Sequence, residues 1–137
     1  MSMRWIALIP LTVLMACAVD AESDRADIKA VIAEFNSAVA VNDFARISAV
    51  FADDAGPAVK ALRDALPKRL PWDERTALRI TVDQIRFTGR GQAVADATQS
   101  DTAPMLGHTR KWHSTFTMVK SRGSWKIASY NETSIVD

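Results

Sequence analysis

The sequence predicts an α+β domain in which N-terminal helices cover one face of an antiparallel sheet. Three observations lead there. Apolar residues recur every three or four positions in the first half of the chain and every second position in the last half. The period changes at a segment bracketed by Pro67 and Pro71. Helices gathered first and strands gathered after them describe helices laid on one sheet face, not alternating β-α units.

The chain has 137 residues, 48% of them hydrophobic, and a net charge of +1. That length suits one domain, and the near-zero charge balance gives no overall electrostatic footprint for nucleic acid. One cysteine excludes an internal disulfide, and with only two histidines beside it no zinc-ligand spacing exists. No metal or other cofactor is expected.

Residues 1–21 read as a secretory signal peptide. Arg4 precedes the apolar run Trp5–Met15, which is too short to span a bilayer as a helix. Small residues at Ala16-Cys17-Ala18 and Val19-Asp20-Ala21 suit signal peptidase. Alternatively, Leu14-Met15-Ala16-Cys17 resembles a bacterial lipobox that would leave a lipidated Cys17. Either route places the domain, residues 22–137, outside the cytoplasm, in the periplasm or anchored at the outer membrane. Any membrane contact is then through the lipid anchor.

Ile28, Val31, Ile32, Phe35, Ala38 and Val39 form one face of a helix over about 23–41. Asn42-Asp43 breaks it and caps a second helix carrying Phe44, Ile47, Val50 and Phe51. Gly56-Pro57 opens a third, with Val59, Leu62 and Leu66 inward. Pro67 to Pro71 is then a basic loop. Leu78, Ile80 and Val82 alternate as a strand, and Ile85 and Phe87 continue on shifted parity, which predicts a bulge at Asp83-Gln84. Gln92–Ser100 is a second strand with Ala93, Ala95 and Ala97 on one side, followed by a loop over 102–107. Lys111–Lys120 and Ser124–Ile135 are the last two strands, joined by Ser121-Arg122-Gly123.

The strand period sends Trp112, Ser114 and Phe116 to one face, together with Trp125, Ile127, Ser129, Asn131 and Thr133 of the last strand. Aromatics mixed with a few fixed polar groups suit a small-molecule pocket. His113 alternates to the other face, and His108 falls in a loop. Asp53 and Asp54 are an adjacent acidic pair after the second helix, and paired carboxylates can do acid/base work. Glu132 is offset from Asn131 and is expected to face solvent or a partner.

Two stretches carry a family resemblance. "AVAVNDFARISAVFADDA" (38–55) resembles the first helix pair, and "FTMVKSRGSWKIASYNET" (116–133) the last hairpin, of the SnoaL-like group within the nuclear transport factor 2-like superfamily. The resemblance implies a cone-shaped roll in which a curved antiparallel sheet wraps on the N-terminal helices, with a pocket between helices and concave face, and often a homodimer. Its catalytic members, such as ketosteroid isomerase, carry a carboxylate on a strand after the second helix. Here Phe51–Ala55 runs directly into Gly56-Pro57. Where several members have histidine on the last strand, this chain has Asn131-Glu132-Thr133, and an amide orients a ligand without moving protons. The expectation is an exported, non-catalytic module that binds a small apolar molecule or an envelope protein. The alternative is a small isomerase, cyclase or dehydratase with Asp53 or Asp54 as base and Tyr130 or Asn131 orienting the substrate.

Overall fold

The structure, a computed structural model, describes the backbone of residues 3–69, 77–103 and 108–134, and the side chains of residues 21–64, 78–101 and 110–133. Five expectations lie outside these residues: the Cys17 and Leu66 side chains, the basic loop at 70–71, the loop tip at 104–107 and the end of the last strand at Ile135. Where the sequence predicts a loop at 67–69, 102–103 and His108, the structure has helix, strand and strand.

Helix α1 runs Met3–Ala40, α2 Phe44–Ala49 and α3 Gly56–Arg69. Helix α1 starts earlier than the period predicts. Residues 16–22 are mostly good helix formers without a stop signal, so the helix continues from the apolar run into the domain on one axis. It ends at Asn42, which takes the left-handed conformation at φ 57°. Asp43 then caps α2, its carboxylate accepting from Arg46 N at 3.2 Å. The Arg46 guanidinium returns to α1 and grips both carboxylate oxygens of Glu34, at 2.7 and 3.2 Å. Helix α3 passes Pro67 and ends two residues later, so the ring weakens only its last turn.

Four antiparallel strands follow in a simple meander: β1 Ala77–Gly89, β2 Gln92–Ala103, β3 His108–Ser121 and β4 Ser124–Ser134. Both edge strands, β1 and β4, reach α1, which requires the sheet to curl around the helix. Three register shifts accompany the curl, one of them at Thr88 beside the first hairpin turn. Asp83 is the extra residue in β1, between Val82 opposite Ala97 and Gln84 opposite Asp96. Ala128 is the extra residue in β4, between Ile127 opposite Met118 and Ser129 opposite Thr117.

The core lies between α1 and the concave face. Ile28, Ile32, Phe35 and Val39 face inward from α1, Ile47 from α2 and Leu62 from α3. The column Ala93, Ala95, Ala97 on β2 keeps the centre of the sheet shallow, so the larger Phe116, Met118 and Ile127 pack beside it. Phe35 is the aromatic hub, with ring centroids 5.5–5.8 Å from Phe51, Phe116 and Tyr130.

The strand that the resemblance places after the second helix is reduced to one bridge. Phe51 pairs in parallel with Ile127, Ile127 N donating to Val50 O and Ala52 N to Ile127 O. The chain then turns at Asp53-Asp54 into α3.

At the hairpin end of the sheet, Asp24 of α1 accepts from Trp125 Nε1 and Lys120 Nζ, both at 3.0 Å. The Trp125 indole first, and then Lys120, hold the Asp24 carboxyl below the usual carboxylate range. A depressed native value means that the stabilisation is complete above the ordinary aspartate range of about 4 and is lost as pH falls through the native value. In urea unfolding followed by far-ultraviolet circular dichroism across an acid pH series, Asp24→Asn is expected to remove that part of the acid destabilisation and to leave stability at pH 7 lower than wild type.

Candidate functional site on the concave face

Cross-strand partners share a face, so the register sorts the candidate residues. Ala95–Phe116–Tyr130, Ala97–Ser114–Glu132 and Gln99–Trp112 are successive rows on the concave side, and Asp101–Arg110 is the next. The rows become more polar away from the hairpin turns.

Ser129, Asn131 and Thr133 do not join these rows. Strict alternation from Trp125 and Ile127 predicts the concave face for them. The bulge at Ala128 reverses the parity, and they pair instead with Thr117, Thr115 and His113 on the exposed outer face. Tyr130 and Glu132 take the concave positions. The signal was present in the spacing: apolar residues at Trp125, Ile127 and Tyr130 step by two and then three, as Ile80, Val82 and Ile85 do around the bulge in β1.

Phe116 is on the concave side but wholly buried under Phe35 and Tyr130. Together with Trp125, which is also buried, it fills the apolar half of the face. Trp112 and Ser114 stand at the polar half, where the structure adds Asn36, Gln99, Asp101 and Arg110. Gln99 Oε1 accepts from Trp112 Nε1 at 2.9 Å and from Ser114 Oγ. These two donors occupy both lone pairs and fix which end of the amide is oxygen. Gln99 Nε2 points to Asn36 Oδ1 at 3.5 Å, and Asn36 Nδ2 donates to Leu78 O at 3.1 Å. The chain of bonds ties α1, β1, β2 and β3 together. Gln99 and Asp101 follow the same parity as the alanine column, and Asn36 lies on the inward stripe of α1; a polar residue on an apolar face was the signal available in the sequence.

Asp101 is 3% exposed. Its Oδ2 receives Arg110 at 2.5 Å, and its Oδ1 is buried without a hydrogen-bond partner among the described residues. A buried carboxylate oxygen left unpaired costs on the order of 1–3 kcal/mol or more.

Asp53 and Asp54 are both exposed at the turn before α3. Asp53 lines an open cleft of about 330 Å³ with Ser48, Phe51, Lys60 and Arg63. The base role considered for this pair needs a carboxylate inside a closed hollow, and neither provides one. His113 is exposed on the outer face, as its alternation predicts.

A helical layer inside a four-stranded antiparallel roll with a polar upper end is the architecture of the nuclear transport factor 2-like fold. Solved structures agree. A ketosteroid isomerase-like protein from Erwinia carotovora atroseptica matches with TM-score 0.62 at 19% identity, over 82% of this chain and 96% of that one. An NTF2-like protein of unknown function from Shewanella baltica matches with TM-score 0.64 at 16% identity, over 84% and 96%. A type 2 hexachlorocyclohexane dehydrochlorinase matches with TM-score 0.65 at 15% identity, over 87% and 90%. At these identities the likeness establishes the fold. No protein-family model and no curated sequence matches the chain significantly.

Proposed function

We propose that this chain is an exported, non-catalytic module that holds a small molecule against the polar half of its concave face. Asp101 Oδ1, buried and without a hydrogen-bond partner among the described residues, carries the reading. A ligand that presents a hydroxyl or ammonium hydrogen there satisfies the buried oxygen, while Trp112 and Ser114, held by Gln99, form the adjoining wall. The apolar half is filled by Phe116, Tyr130 and Phe35, so the ligand needs a polar head more than a long apolar body. The leader supports export, free or tethered at Cys17. The outer face, with Thr115, Thr117, Ser129, Asn131 and Thr133, is left for a second copy of the chain or an envelope protein.

Native mass spectrometry of the protein purified from its own host tests the ligand. The expected spectrum shows a small-molecule adduct that is lost from Asp101→Leu while the fold is retained. A bare chain under gentle desolvation, or an adduct kept at full occupancy by Asp101→Leu, contradicts the reading.

A further inference from the structure

We propose that the hairpin end of the domain is a docking surface for an anionic lipid layer, so that the ligand site faces away from the membrane. The inference rests on the tethered reading of the leader and is independent of the ligand.

The two hairpin turns lie side by side, Lys120 N donating to Gly91 O at 2.9 Å. Arg90 stands in one turn and Arg122 in the other. Both are exposed, and no described residue pairs with either charge. Arg122 takes a left-handed φ of 54° and Gly123 a φ of 80°, the tight reversal that lets the strands run to the very tip. Beside them Arg25 lies over the Phe87 ring at 5.1 Å, and Phe87 is one of the few large apolar side chains left 38% exposed. Arg25, Arg90 and Arg122 thus lie at the same end of the sheet as this exposed ring, with Arg25 directly over it and Lys120 paired to Asp24. The opposing acids are Glu22 and Asp24, and the Asp24 charge is already engaged by Lys120.

Helix α1 enters the domain at this same end, anchored at Asp24. At 1.5 Å per residue, Cys17 lies about 10 Å further back along the helix axis, with the run Trp5–Met15 beyond it. A lipid on Cys17, or the apolar run itself at a bilayer, brings the hairpin end to the headgroups. Each cation held within a Debye length of an anionic surface then adds attraction. Asp101 lies eight residues along β2 from Ala93, roughly 26 Å from this end. A molecule bound there remains open to the aqueous compartment.

The test uses the full chain with Cys17→Ser and one reporter dye, placed on Ser121→Cys at the hairpin end or on Thr133→Cys at the far end. Vesicles are phosphatidylcholine with or without phosphatidylglycerol, and carry a headgroup quencher. The expected result is quenching of the dye at 121 and not at 133 on the anionic vesicles. Arg90→Gln with Arg122→Gln weakens association by roughly tenfold or more. Arg79→Gln with Lys111→Gln, the same charge change away from the turns, leaves association unchanged and controls for net charge. Equal quenching at both positions, or association indifferent to phosphatidylglycerol, overturns the inference alone. No association with either vesicle also overturns the inference, while the tethered reading, which needs the lipid that Cys17→Ser removes, is decided separately by whether the mass of the wild-type chain from its host includes a lipid on Cys17.

Discussion

Phe35→Ala is expected to destabilise the domain by about 3–5 kcal/mol, read as a shift of the urea midpoint at unchanged slope. Phe35 is 2% exposed and is the ring through which α1 meets the rest of the core. It sits edge-on to Phe51 and Phe116 and tilted against Tyr130. Phe51 carries the bridge to β4, Phe116 belongs to the central sheet, and Tyr130 follows the β4 bulge. Removing the hub leaves a void lined by three aromatic rings that are themselves fixed by backbone pairing, so little collapse can fill it. Val41→Ala is the contrasting change: its side chain is 63% exposed, and surface substitutions away from such features stay within about 0.5 kcal/mol.

Arg110→Met is expected to cost about 2–3 kcal/mol, more than Asp101→Asn. The asymmetry follows from exposure. The Arg110 side chain is 53% exposed and the Asp101 side chain 4%. Truncating the arginine leaves a buried carboxylate with neither oxygen paired, the expensive half of breaking such a pair. Neutralising the aspartate leaves a guanidinium that water can still reach. The double variant Asp101→Asn/Arg110→Met therefore recovers part of the loss, and a urea double-mutant cycle at neutral pH measures the coupling. Equal costs for the two single changes would place Asp101 in contact with water.

The order of elements was legible because it rests on period alone. Ile28, Ile32, Phe35 and Val39 repeat at helical spacing, and the Leu78-Ile80-Val82 run switches parity at Asp83, where the bulge lies. The face of the last strand was misjudged because alternation was carried through Ala128. One inserted residue turns Ser129, Asn131 and Thr133 outward and Tyr130 inward. The polar half was only partly legible. Trp112 and Ser114 follow from β3, whereas Asn36 hides in an apolar helix stripe, and Arg110 pairs with Asp101 only through the strand register. Composition gives no hint that one carboxylate oxygen is left alone, since that depends on what three strands and a helix bring together.

The two indoles described here report on the two ends of the roll: Trp112 Nε1–H bonds Gln99 at the polar half, and Trp125 Nε1–H bonds Asp24 beside the hairpin turns. A nitrogen–proton spectrum of the tryptophan side chains, recorded while the stripped protein is titrated with the small molecules released from host-purified chain, probes the concave-face claim most directly. Saturable movement of the Trp112 signal with Trp125 unmoved is the predicted outcome. Movement of Trp125 alone, or of neither indole, would contradict it.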